Sequence, residues 1–132
     1  MLFNNIAFAN EATIKINNQL FTVELAVTPA ERSRGLMNRK LLASYSGMLF
    51  IYHEPKIVSF WMKQTLIPLD LLFFDKDGQL TEVHHNIQPC VVTNCKTYTN
   101  KIPAQFALEL TAGTATKLNI QIGNRFTIVE PK

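Results

Sequence analysis

The stretch from Thr13 to Val27 constrains the fold of this chain most. Thr13–Ile16 and Gln19–Val27 flank Asn17-Asn18, and asparagine tolerates the positive φ that a tight hairpin turn demands. Phe21, Val23, Leu25 and Val27 fall on one face, Thr22 and Glu24 on the other, which is the period of a half-buried strand. Similar short segments recur down the chain. Gly47–Tyr52 reads as a strand interrupted at Glu54-Pro55, and Ile57–Met62 as the next. Leu69–Phe74 is apolar on both faces, so it belongs at the centre of a sheet covered on both sides. Asp75-Lys76-Asp77-Gly78 is a hairpin turn, returning through Gln79–Ile87. Gln105–Leu110 points Phe106, Leu108 and Leu110 inward, and Gly123-Asn124 turns into Phe126–Val129. These signals predict a mainly β fold, a sandwich or distorted small barrel of roughly seven to nine short strands.

Two short helices interrupt this pattern. Thr28-Pro29-Ala30-Glu31 combines an N-cap threonine, proline at the first helical position and the glutamate of a capping box. That helix runs to Arg34 and stops at Gly35, a left-handed cap, with Leu36 and Met37 tucked into the core. The second spans Ala115–Leu118. A chain of 132 residues, 47% hydrophobic and 17% charged, is read as one folded domain over residues 11–132. Its net charge of +3 is spread without a run of Lys or Arg, so nucleic acid is not an expected partner. No apolar run is long enough to span a bilayer.

Residues 1–10 read as a flexible terminus or the remnant of an export signal, since Ala7-Phe8-Ala9 has the small-x-small pattern of a signal-peptidase site. Cys90 and Cys95 are the only cysteines. They share a polar loop, which favours a local disulfide in an exported protein over two free thiols in the cytoplasm. A periplasmic or secreted location is therefore expected, with cytoplasmic as the alternative.

Chemistry concentrates in Ser59–Asp70. Strand period puts Val58, Phe60 and Met62 in the core and Ser59, Trp61 and Lys63 on the opposite face. The single tryptophan offers a flat apolar platform, although a lone tryptophan is more often a core anchor with an exposed edge. Lys63 can hold an anionic group or lie along apolar surface. Gln64 and Thr65 add neutral hydrogen-bonding groups. Asp70 must be paired or solvated in its apolar strand. It is either an acceptor for turn N–H groups, an ion-pair partner of Lys63 or Arg34, or a general acid or base. His84 and His85 alternate across a strand and cannot grip one metal together; His85 shares a face with Thr81, Val83 and Ile87. No metal site and no cofactor are expected.

Taken together, several blocks carry a resemblance. They are Thr28-Pro29-Ala30-Glu31-Arg32 with Arg34-Gly35-Leu36-Met37, Gly47-Met48-Leu49-Phe50, Phe60-Trp61-Met62-Lys63 with Thr65 and Pro68-Leu69-Asp70, Leu108-Glu109-Leu110, and Ala112-Gly113-Thr114. The chain resembles the family of the domain of unknown function 192 over nearly its whole length. The resemblance implies a compact, mainly β domain with one short helix near the front, often preceded by an export or lipoprotein signal. It supplies no catalytic residues. Gln64 stands where relatives often have asparagine, and Asn124 where they often have aspartate.

The expected function is a cell-envelope module, a monomer or weak oligomer, that binds a small molecule or peptide in a cleft of Arg34, Ser59, Trp61, Lys63, Gln64 and Asp70. The alternatives are a hydrolase or transferase using Asp70 as acid or base beside Lys63 or His85, and an interaction domain that pairs through an edge strand.

Overall fold

The computed structural model describes residues 10–129; all but the last residue of the expected terminus or signal remnant at residues 1–10 lies outside them. The opening hairpin forms as the asparagines demand. Asn17 and Asn18 take φ of 49° and 68°, both left-handed as a two-residue turn of matching twist requires. They join β1 (Glu11–Ile16) to β2 (Gln19–Ala26) in register from Glu11↔Glu24 to Ile16↔Gln19. Phe21 and Val23 are buried as expected, but the alternation shifts at the strand's end. Ala26 takes the buried position and Val27 is left 45% exposed, because the backbone there turns into the helix cap.

That helix, α1 (Pro29–Arg34), carries both halves of its capping box. It leads across to β3 (Ser46–Lys56), which pairs with β2 in parallel, an arrangement that needs a crossover and cannot be a hairpin. Glu54-Pro55 does not end the strand as expected. It sits inside β3, where the register against β8 (Ala104–Thr111) shifts between Ile51 and Lys56; a bulge accommodates the proline that a regular ladder would exclude.

The chain continues through β4 (Ser59–Trp61), β5 (Leu69–Phe74), β6 (Leu80–Ile87), β7 (Thr97–Thr99), β8, α2 (Thr114–Lys117) and β9 (Phe126–Ile128). Seven strands form one sheet in the order β6-β5-β8-β3-β2-β1-β9, curled into a half-barrel, while β4 and β7 pair separately. Both faces of the sheet are covered. Leu72, Phe74, Leu108 and Leu110 pack inside the curl with Phe21 and Phe126. Leu69, Leu71, Phe73 and Phe50 pack on the other face with Leu36 and Met62, beneath α1 and the β4–β7 pair. Every residue of β5 is buried, as its two-sided apolar pattern foretold.

Two polar anchors and a disulfide hold the covering pieces in place. Asp70, fully buried, accepts from the backbone N–H of Asn86 at 2.9 Å, Gly113 at 3.2 Å and Ala115 at 2.9 Å. Asn100 accepts from Val58 N–H and donates to the Lys56 and Ile102 carbonyls, tying the small sheet to the end of β3. Cys90 and Cys95 form a disulfide with Cα atoms 5.7 Å apart, and Cys90 bridges to Lys63, so the bridge braces the loop that delivers β7. Among the described residues no helix is long and apolar enough to cross a membrane.

Asp70→Ala strands three backbone donors in a dry interior, so urea unfolding is expected to show a loss on the order of 3 kcal/mol. A loss below about 1 kcal/mol, that of one ordinary hydrogen bond, would refute the anchoring role. Replacing Cys90 and Cys95 by serine opens only a short loop and is expected to cost about 2 kcal/mol, with faster amide exchange in β7 before the main sheet. Uniform loss across the sheet would show that the bridge stabilises the whole fold instead.

Candidate functional site

Between α1 and β4 the covering layer leaves a groove of about 530 Å³. One wall is α1 and the turn after it, with Arg32, Arg34, Gly35, Leu36 and Met37; the other is Val58 through Trp61. Phe50, Tyr52, Thr65 and Glu109 also line it.

The α1 wall is set by local chemistry. Thr28 Oγ1 accepts from Glu31 N–H at 3.1 Å, and Glu31 Oε1 accepts from Thr28 and Val27 N–H, each at 3.0 Å. These backbone bonds, led by that from Thr28, lower the Glu31 pKa. The Arg32 Nη1 donates to the carbonyls of Val27 and Ile51, and its guanidinium lies over the Tyr52 ring, 4.8 Å from the centroid. After the helix, Arg39 makes a bidentate pair with Glu24, both contacts 2.7 Å, and that hydrogen bonding is the largest cause lowering the Glu24 pKa.

The opposite wall follows the strand period. Met62 is buried and Phe60 half-buried, while Trp61 is 47% exposed. The indole is therefore a wall and not an enclosed core anchor. Ser59 lines the groove and shares a hydrogen bond with Thr99 Oγ1 at 2.8 Å. Phe60 sits edge-on to Phe50 and Phe73.

Of the expected site residues, Arg34, Ser59 and Trp61 meet at the groove. Lys63 stands behind the wall, its Nζ 5.2 Å from the Trp61 ring centroid. Gln64 belongs to the turn: it takes φ 58° and its carbonyl accepts from Asn38 N–H at 2.7 Å. Asp70 does not line the groove, and its hydrogen bonds run to Asn86, Gly113 and Ala115 rather than to Lys63 or His85. His85 is exposed, although the strand period puts it on one face with the half-buried Val83 and the buried Ile87. The register slips between Leu69 and Leu71, and His84 turns inward between Phe73 and Tyr98, bonded to Glu82 at 2.6 Å. Among the described residues no three His, Cys, Asp or Glu side chains converge in a metal-holding group.

Glu109 was not foreseen. Simple alternation along β8 turns it away from Leu108 and Leu110, towards solvent, because the sequence does not reveal that α1 and β4 cover that face. The available signal was the one used for Asp70, a carboxylate within an apolar strand. Glu109 is only 7% exposed, and its Oε1 has no hydrogen-bond partner among the described residues. Burial pushes its carboxyl up to about 8. Tyr52 is pushed up to about 12, chiefly by burial, with Arg32 opposing and Glu109 adding to the shift. The groove thus has a floor carboxyl poised between its two protonation states, aromatic walls and a basic rim.

A Glu109 carboxyl raised from 4.5 to about 8 binds a proton more tightly in the folded state than in the unfolded chain. Its contribution to stability therefore falls as pH rises from the unfolded value towards the folded one. Relative to Glu109→Gln, the native protein is expected to lose a few kcal/mol, on the order of the shift itself, across that interval. Urea unfolding of both proteins at the two ends of the interval measures this; a constant difference would show the carboxyl to be unperturbed.

Residues 12–128 match the family model DUF192, described as Uncharacterized ACR. A crystal structure described as a "putative transcription regulator" from Sinorhizobium meliloti 1021 has a TM-score of 0.82 and 35% identity, covering 89% of this chain and 93% of that one. A protein of unknown function from Novosphingobium aromaticivorans DSM 12444 has a TM-score of 0.81 and 27% identity, covering 96% and 99%. No protein with a curated description matches. With the half-barrel and the Phe60–Asp70 block in place, the family model's match over almost the full length settles the kinship: the chain belongs to the domain of unknown function 192 family.

Proposed function

We propose that this protein is a binding module for a small polar ligand, held in the groove between α1 and β4. The observation that carries the reading is the floor of that groove, where a buried carboxyl keeps an oxygen without a partner beneath aromatic walls. A buried polar group left unpaired costs free energy that a ligand can recover. A concave site with apolar walls and few polar groups is the usual form of a small-molecule pocket. The half-exposed Trp61 supports the same reading, with Lys63 backing its ring. The disulfide is a bond that an oxidising compartment preserves, and it supports placing the module in the periplasm or outside the cell.

The same carboxyl favours a second reading. A group held near neutrality suits general acid–base work. A hydrolase or transferase built on this groove would act through Glu109, whereas the three backbone donors that hold Asp70 give it a structural task. Transcription regulation, named in one neighbour's description, gains no support from helices of six and four residues, too short to present a recognition helix to a major groove.

A thermal-shift screen of metabolites on the native protein, Trp61→Ala and Glu109→Gln tests the binding reading. A true ligand is expected to raise Tm in the native protein and much less in both variants, since stabilisation by mass action requires those contacts. A shift that persists in both variants would place binding elsewhere. Turnover of a hit, abolished in Glu109→Gln, would favour the enzyme.

A further inference from the structure

Two groups on the groove retain unused hydrogen-bonding capacity, and they are opposite in kind. At the floor, Glu109 Oε1 is buried without a partner. At the rim, the Arg34 guanidinium makes no side-chain hydrogen bond or ion pair among the described residues, exerting only a minor electrostatic pull on Glu24 and Glu31. The other cations nearby are committed: Arg32 to two carbonyls and the Tyr52 ring, Lys63 to the Trp61 ring. Gly35 brings the chain next to Arg34 close to the floor. It follows Arg34 in the chain, and a Cβ there would stand 3.8 Å from Glu109 Oε1. The backbone that carries Arg34 thus passes close to the floor, and both side chains line the one groove.

We propose that the groove binds a zwitterion of the α-amino acid class, its ammonium on the Glu109 carboxylate, its carboxylate on the Arg34 guanidinium and its side chain against Phe60 and Trp61. This rests on the groove being a binding site. An amine alone would leave the Arg34 guanidinium unpaired, and an anion alone would leave the floor acceptor unpaired. A ligand carrying both charges answers both groups, and guanidinium suits a carboxylate through paired N–H donors.

Binding then couples to a proton. Burial holds Glu109 up to about 8, so near neutrality the arriving ammonium displaces a proton from the carboxyl to solvent. The titratable and polar groups that line the groove with it are Arg32 and Arg34 from α1, Tyr52 from β3, held up to about 12, and the neutral Ser59, Trp61 and Thr65. Guanidinium groups stay charged throughout this range, which leaves Glu109 as the titrating partner.

Trp61 is the only tryptophan, so its fluorescence reports the groove directly. The probes are phenylalanine, phenylalaninamide and 3-phenylpropanoate. At about pH 7, where both amines are protonated, phenylalanine is expected to bind at least about tenfold more tightly than either analogue; its affinity rises roughly tenfold per pH unit below the Glu109 pKa and falls again once its own ammonium deprotonates. Glu109→Gln should weaken binding and flatten that pH profile, and Arg34→Ala should erase the preference for phenylalanine over its amide. Circular dichroism verifies that both variants fold. Equal or tighter binding of 3-phenylpropanoate, or a flat profile in the native protein, would overturn the proposal. No fluorescence response to any of the three would also overturn it. The broader binding reading would then stand or fall on the metabolite screen alone.

Discussion

The close approach of β3 and β8 at Gly47 governs the rest of this molecule. A Cβ at that position would stand 2.3 Å from the Glu109 carbonyl oxygen and 2.8 Å from the Leu110 side chain, so only glycine allows the strands to meet as they do. Their register sets Met48 beside Glu109 and Gly47 beside Leu110. From this follow the two-faced sheet, with Leu108 and Leu110 inside the curl, and the placement of Glu109 on the opposite face beneath α1. The parallel pairing of β2 with β3 makes the intervening chain cross over, and that crossover carries the helix forming one wall of the groove.

The two buried carboxylates illustrate how surroundings decide the use of one chemical group. Asp70 and Glu109 both lie in apolar strands, on adjacent strands of one sheet. Asp70 is met by three backbone N–H groups and serves as a clamp between β5, the end of β6 and the start of α2. Glu109 shares its groove with aromatic side chains and retains an unpaired oxygen. Burial without hydrogen bonds disfavours the charged form, and its pKa rises to about 8. A satisfied carboxylate stabilises a fold, while an unsatisfied one costs stability, a pattern found where structure is held for function.

The small sheet of β4 and β7 gives the site its second wall. It is short, and it depends on the Asn100 bonds at one end and on the loop braced by Cys90–Cys95 at the other. Trp61 thus stands on a support partly independent of the main sheet. The groove lies where a rigid half-barrel meets a smaller covering piece, a common setting for ligand sites.

Local rules made much of this legible. The Asn17-Asn18 turn, the Thr28–Glu31 capping box, the buried run Leu69–Phe74 and the split of Ser59–Met62 into core and open faces each depend on neighbours a few residues away, and the sequence alone determined them. The crossover between β2 and β3, the bulge at Glu54-Pro55, the inward turn of His84 and the covering of Glu109 depend on strands distant in the chain. Strand period assigns a residue to one of two faces, but where the second face carries polar residues only tertiary packing decides whether that face is dry. That decision separated Asp70 from the groove and brought Glu109 to its floor.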